Sequence, residues 1–221
     1  MGAFESLSQS VVALPLLLAS LMATTLICER LWFWNRISKR QQKLVRTVLE
    51  SYAQQPQAAI ARLKKHTDLP IARIFLAAVT LPEATPEEFR LALESTAQGE
   101  LPLLKRFSTA FNTIVGIAPL LGQLGTILGL MRALASLDLG TGDSDRALNV
   151  VSGIGEALIT TAIGLAIAIL TLIFANFFQG LYRRQRAFIQ EAGGQLELLY
   201  RQQHRQQSRL RDRPRSDRPY S

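Results

Sequence analysis

Apolar residues in this sequence are concentrated in three long stretches that carry no charge, and polar segments separate them. The stretches cover residues 11–28, 107–131 and 157–182, which makes them 18, 25 and 26 residues long. At about 1.5 Å per residue in a helix, such lengths fit the roughly 30 Å hydrocarbon core of a bilayer. The pattern therefore predicts an all-α integral membrane protein with three transmembrane helices and a helical cytoplasmic extension.

The same pattern divides the chain into segments. We expect a periplasmic leader at 1–10, transmembrane helix 1 with an aromatic interfacial anchor at 11–34, a cytoplasmic helical region at 35–106, transmembrane helix 2 at 107–136, a periplasmic connector at 137–149, transmembrane helix 3 at 150–182, a cytoplasmic helix at 183–200 and a disordered basic tail at 201–221. The apolar run 69–81 has only 13 residues and contains Arg73, so it is predicted to be a buried cytoplasmic helix. Disorder is expected in the tail because its Arg, Gln, Ser and Pro residues cannot bury a core.

Charge predicts the orientation of these segments. The chain has a formal charge of +8, and its Lys and Arg residues are unevenly distributed. Residues 30–106 hold 13 of them and residues 183–218 hold 10, whereas the leader has none and residues 132–149 have two. The positive-inside rule then places the amino end on the outer side of the membrane and the carboxyl end in the cytoplasm. Nucleic-acid binding is not expected, because the basic residues do not form one face of a folded domain.

The sequence offers little for enzyme chemistry. Its single cysteine, Cys28, lies inside the first apolar stretch, so no disulfide framework or cysteine metal cluster is available. The two histidines, His66 and His204, lie in polar stretches far apart in the sequence. With no nucleophile and base paired in any motif, we expect neither an enzyme nor a bound metal or cofactor.

Small residues recur at steps of three and four in the second and third spans, which keeps them on one helix face. They are Ala118, Gly122, Thr126, Gly129, Ala133 and Ser136 in one span, and Ala157, Thr161, Gly164, Ala168, Thr171 and Ala175 in the other. Such faces allow close packing of membrane helices. Alternatively, they line a narrow interior in which the hydroxyls of Thr126 and Thr161 support water.

One acid, Glu156, directly precedes the uncharged part of the third span. It is either an interfacial acid stabilised by the helix dipole or a titrating carboxylate at the mouth of a proton path. Arg132, at the end of the second span, is its candidate partner, and Thr160 is a secondary hydroxyl. Pro119 is a further candidate, since proline in a membrane helix frees a backbone carbonyl.

The segments IAPLLGQLGTILGLM and GIGEALITTAIGLAIAI resemble the two signature segments of the MotA/TolQ/ExbB proton channel family, and the plan of the chain is most similar to the ExbB/TolQ branch. The resemblance implies that Glu156 is the polar entrance of the proton path and that Thr126 and Thr161 are hydroxyl rungs along it. It also implies a homo-oligomer, a pentamer in relatives, around a single-span ExbD/TolR-like partner whose aspartate takes up the proton. A TonB/TolA-like energy transducer is the implied further partner.

The expected function is therefore that of an ExbB-like proton-conducting stator subunit, which couples proton-motive force to mechanical work energising outer-membrane transport. Two alternatives stay open: a TolQ-like motor subunit for envelope maintenance, and a membrane scaffold whose small-residue stripes serve packing only. Gln123 departs from the family pattern, since relatives usually carry an apolar residue there, and its amide could add a water contact. Leu170 stands where relatives often have proline.

Overall fold

The computed structural model describes residues 2–135 and 144–211, and over this part of the chain it is helical without any strand. The helices are α1 (Gly2–Gln54), α2 (Pro56–Lys64), α3 (Pro70–Val79), α4 (Pro86–Leu104), α5 (Ser108–Ala135) and α6 (Ser144–Arg211). Three helical stretches are long and apolar enough to cross a membrane, namely Val12–Gln54, Pro86–Ala135 and Val150–Gln206. The predicted all-α membrane protein with three spans is confirmed.

Two helices are longer than the segments drawn from the sequence. Helix α1 starts within the predicted leader and continues without a break to Gln54, and α6 starts within the predicted connector. Helix α6 also continues to Arg211, although the sequence predicts disorder from Arg201 onward. Tertiary contacts hold the beginning of this stretch, because Tyr200 stacks on Phe89 and Gln203 donates a hydrogen bond to the Tyr52 carbonyl at 3.0 Å. Residues 136–143 of the span end and connector, and 212–221 of the tail, lie outside the described residues.

The chain forms two compact units, of which the first, here called the membrane unit, comprises Met1–Trp32 and Arg106–Gly180. Its interior is built from small side chains, including Ala118 and Gly122 on α5 and Ala157 and Gly164 on α6. Its surface carries many exposed large apolar side chains, as expected of helices that face lipid.

The second unit, here called the extension unit, comprises Phe33–Lys105 and Leu181–Ser221 and has a conventional apolar core. Helix α3 lies at its centre, with Ile71, Ala72, Ile74, Phe75 and Ala78 at most 1% exposed. This burial explains the short apolar run around Arg73. The arginine itself lies partly exposed and makes two hydrogen bonds to the Glu100 carboxylate, at 2.7 and 2.5 Å.

Helix α4 begins with a capping box. Thr85 Oγ1 accepts a hydrogen bond from the Glu88 backbone N–H at 3.3 Å, and the Glu88 carboxylate accepts one from the Thr85 backbone N–H at 2.7 Å. Pro86 occupies the first helical turn, where its missing N–H costs nothing. The hydrogen bonds from the Thr85 backbone and hydroxyl lower the pKa of Glu88.

A pair of glutamines is buried in the extension unit. Gln185, which is 7% exposed, donates from Nε2 to the Oε1 of Gln41, which is fully buried. The Nε2 group of Gln41 has no hydrogen-bond partner within the described part of the chain. A buried amide donor without a partner reduces stability, so this pair is a weak point of the core.

Candidate functional site

Helices α5 and α6 approach each other so closely that side chains larger than hydrogen are excluded at several positions. A Cβ placed on Gly164 would lie 2.6 Å from the carbonyl oxygen of Ala118, and one on Gly122 would lie 3.1 Å from the Thr161 Cα. A Cβ on Gly129 would lie 2.6 Å from the Ala157 Cβ. The two small-residue stripes predicted from the sequence therefore face each other and form one glycine contact.

A pair of threonine hydroxyls lies within the glycine contact. Thr126 Oγ1 and Thr161 Oγ1 are hydrogen-bonded to each other. Thr126 Oγ1 also lies 3.2 Å from the carbonyl oxygens of Gly122 and Ala157, and Thr161 Oγ1 lies 2.9 Å from the Gly122 carbonyl oxygen. The structure thus brings together the two threonine hydroxyls that the sequence analysis singles out, although Thr126 and Thr161 are separated by 35 residues.

The two hydroxyls of this pair have more acceptors within hydrogen-bond distance than hydrogens to donate. Each hydroxyl carries one hydrogen and two acceptor lone pairs, so Thr126 and Thr161 supply two protons for four possible hydrogen bonds. Several proton arrangements therefore satisfy the same heavy-atom geometry. A pair of this kind can accept a proton on one side and release one on the other by reorienting its hydroxyls.

The remaining candidates lie around this pair in different roles. Thr160 donates from Oγ1 to the Glu156 carbonyl of its own helix at 3.0 Å, and its methyl group occupies the space beside Gly125. Its hydroxyl is thereby used within α6, and its main contact with α5 is through packing. Pro119 lies half-buried within α5, which continues as a helix through it.

The two charged candidates lie toward one end of the membrane unit. Glu156 is exposed on α6, directly before the buried Ala157 whose carbonyl approaches Thr126. Arg132 is half-buried on α5 and donates from Nε to the Leu128 carbonyl of its own helix at 3.2 Å. The pairing of Arg132 with Glu156 stays a prediction. Among the described residues, no group of three or more His, Cys, Asp or Glu side chains lies together as metal ligands would.

Sequence reasoning missed the burial of Arg30. An arginine directly after an apolar stretch typically extends toward the membrane surface, but Arg30 is 2% exposed and donates from Nη2 to the Arg106 carbonyl. Its guanidinium lies 5.2 Å from the centre of the Phe107 ring, and Phe107 has a positive φ of 68°. The only sequence signal is a single arginine next to an apolar run, which does not distinguish burial from exposure.

Comparison with known proteins assigns this architecture to a family. Residues 66–191 match the model of the MotA/TolQ/ExbB proton channel family, and this range includes α5, Glu156 and both threonines of the hydroxyl pair. The chain belongs to the MotA/TolQ/ExbB proton channel family. It is a membrane protein of a family of proton channel and transport components.

Individual members of the family show how far the similarity extends. The chain is 57% identical to an ExbB-like biopolymer transport protein of Synechocystis sp., ExbB-like 3, over 89% of this chain and 93% of that protein. ExbB-like 1 of the same organism is 41% identical over 90% of this chain and 78% of its own length. The Tol-Pal system protein TolQ of Haemophilus influenzae is 33% identical over 43% of this chain and 41% of its own length. The sequence predictions of an ExbB/TolQ relationship and of a biopolymer transport protein are confirmed.

Proposed function

We propose that this chain is an ExbB-like proton-conducting stator subunit that converts proton-motive force across the inner membrane into mechanical work energising outer-membrane transport. The observation that carries the proposal is the pair Thr126 and Thr161, whose hydroxyls are hydrogen-bonded within the membrane unit and have more acceptors than protons. Neither α5 nor α6 has an acid in the middle of its apolar stretch, so proton transfer there has to use hydroxyl groups and water.

In this proposal Glu156 is the entrance group. Its carboxylate lies exposed at the start of the uncharged stretch of α6, about one and a half helical turns before Thr161. An acid in this position collects protons at the membrane surface, and the hydroxyl pair relays them farther into the membrane. Because a hydroxyl does not titrate near neutral pH, a titrating group must complete the path, and a single-span ExbD/TolR-like partner with an intramembrane aspartate would supply it.

The proposal includes the assembly and its orientation. We propose a homo-oligomer, a pentamer as in relatives, with the amino end in the periplasm and the carboxyl end in the cytoplasm. A TonB/TolA-like protein would receive the mechanical output. The asymmetry of Lys and Arg between the segments supports this orientation, because basic residues are retained on the cytoplasmic side.

The test is proton uptake into vesicles that contain the chain together with its single-span partner, with an imposed membrane potential and a pH-sensitive dye. Thr126→Val, Thr161→Val and Glu156→Gln are expected to reduce uptake to the level of vesicles without protein, while oligomer size and membrane levels stay unchanged. Valine preserves the shape of threonine and removes its hydroxyl. Thr113→Val is the matched control, since Thr113 is an exposed residue of α5 whose hydroxyl bonds to the Thr109 carbonyl at 2.9 Å. Wild-type uptake in both valine variants of the pair would refute the proposed path.

Two alternatives are each favoured by a specific observation. The similarity to TolQ favours a role in envelope maintenance, and identifying the single-span protein that co-purifies with the chain distinguishes the ExbB-like from the TolQ-like role. The glycine contact favours a packing scaffold. A scaffold would tolerate Glu156→Gln without loss of function, whereas a bulky side chain at Gly129 would disrupt its assembly.

A further inference from the structure

Helix α5 has three faces of different character. One face is buried against its neighbours in the membrane unit and consists of Phe111, Ile114, Ala118, Gly122, Gly125, Gly129 and Ala133. A second face is exposed and, from Ile117 onward, apolar; it consists there of Ile117, Leu120, Leu124, Ile127 and Met131. The third face contains Asn112 and Gln123, both exposed, with the half-buried Thr126 at its edge and the exposed Leu130 and Leu134 toward its carboxyl end.

Gln123 places an exposed amide on the third face, in the middle of a membrane-spanning helix. Gln123 lies near the middle of α5, one turn before Thr126 and about three turns after Asn112. It is exposed, and among the described residues no hydrogen bond reaches its amide. An amide facing hydrocarbon would lose its hydrogen bonds to water without replacement, which is strongly unfavourable. The apolar second face is suited to lipid, whereas the part of the third face around Gln123 is not.

We propose that the third face of α5 borders a water-containing passage in the assembled protein, and that Gln123 is an additional polar rung of this passage beside Thr126. The inference rests on the proposed function, since it adds a residue to the same proton path. The Gln123 amide does not titrate, so it carries no proton itself. Its carbonyl oxygen accepts and its NH₂ group donates, which allows it to hold water molecules one helical turn from the hydroxyl pair. Gln123 is thus a positioning residue that acts through ordered water.

The first test is the reactivity of a cysteine at this position in the full chain, assembled with its partner in native membranes. The background is Cys28→Ala, because Cys28 is exposed. A small, water-soluble, positively charged methanethiosulfonate reagent is applied to Gln123→Cys and to the matched control Leu120→Cys, whose position lies on the apolar face of the same helix. The reagent reacts with thiolates, and an apolar environment raises the pKa of a thiol. Each unit by which the pKa of the control cysteine is raised lowers its thiolate fraction, and therefore its labelling rate, about tenfold.

We expect Gln123→Cys to react at least about tenfold faster than Leu120→Cys. Equally slow reaction of both thiols would overturn the inference, because it would place Gln123 in lipid or in a dry contact between copies. Spontaneous disulfide formation between Gln123→Cys chains, with no reaction toward the reagent, would overturn it as well and would indicate an interface between copies.

The second test separates this inference from the proposed function. Gln123→Leu is expected to lower proton uptake several-fold with intact assembly, and Gln123→Asn, which retains the amide, is expected to restore most of it. Wild-type uptake in Gln123→Leu would overturn the role of Gln123. Fast labelling of Gln123→Cys, combined with wild-type uptake in both Thr126→Val and Thr161→Val, would refute the proposed hydroxyl path while supporting water at the third face. The two ideas can therefore fail independently.

Discussion

Gly164 is the position at which the glycine contact between α5 and α6 is most sensitive to an added methyl group. In Gly164→Ala, the new Cβ would lie 2.6 Å from the Ala118 carbonyl oxygen, 3.0 Å from the Gly122 Cα and 3.2 Å from the Gly122 nitrogen. All three are backbone atoms of α5, so no side-chain rotation relieves the overlap. Ordinary contact begins at 3.4 Å, which requires local separation of the helices by about 0.8 Å.

The cost of this separation follows from the same geometry. Overpacking of a tight contact costs about 1–3 kcal/mol, and backbone atoms favour the upper end of that range. The separation also lengthens the hydrogen bond from Thr161 to the Gly122 carbonyl, now 2.9 Å, to a distance at which its contribution of roughly 1 kcal/mol is lost. Replacing glycine by alanine within a helix returns about 1 kcal/mol. We therefore expect a net destabilisation of roughly 2–3 kcal/mol.

The assay is unfolding of the purified protein in mixed micelles with increasing SDS fraction, followed by loss of α-helical circular dichroism. The matched control is Gly180→Ala on the same helix, where an added Cβ meets no atom within 4 Å among the described residues. This variant should be as stable as the wild type or more stable, by up to about 1 kcal/mol. Finding Gly164→Ala as stable as Gly180→Ala would contradict the glycine contact and the hydroxyl geometry that depends on it.

Two further predictions concern the extension unit. Gln185→Leu should destabilise this unit toward urea by about 1–3 kcal/mol, because the buried Gln41 amide loses its remaining partner. The double variant with Gln41→Leu should unfold at a urea concentration close to that of the wild type, since both buried polar groups are removed. Equal losses in the single and double variants would contradict this account. Thr85→Ala should cost about 1 kcal/mol through loss of the α4 cap. Because the cap lowers the pKa of Glu88, its carboxylate stabilises the fold above its unfolded pKa, and this contribution disappears as the pH falls through the folded pKa. The difference in stability between Glu88→Gln and wild type should therefore shrink in acid, where the wild-type carboxylate is also neutral, and a constant difference would refute the role of the carboxylate.

Part of the candidate site could be predicted from the sequence because helix periodicity is local. Steps of three and four place Gly122 and Thr126 on one face of a helix, and Thr161 and Gly164 on one face of another. The sequence does not contain the register between those helices. That register decides whether the hydroxyls of Thr126 and Thr161 meet, and it follows from which glycine faces which backbone carbonyl.

Composition was a poor guide where tertiary contacts determine the structure. The polar composition after Arg201 predicts disorder, yet α6 continues to Arg211, and Tyr200 and Gln203 contact residues far away in the sequence. In the same way, Arg30 could be assigned to the membrane surface from its position alone. Its burial depends on the Arg106 carbonyl and the Phe107 ring, which no local pattern indicates.

The sequence by itself determined the all-helical class, the three spans and the family, because length, charge and apolar content are sums over neighbouring residues. Only the tertiary structure decided which polar groups meet inside the membrane unit and which stay exposed. The physical reason is that small side chains permit contact without specifying it. A glycine allows two helices to approach, but the partner's backbone determines where they stop, and that distance decides whether the hydroxyls of Thr126 and Thr161 meet.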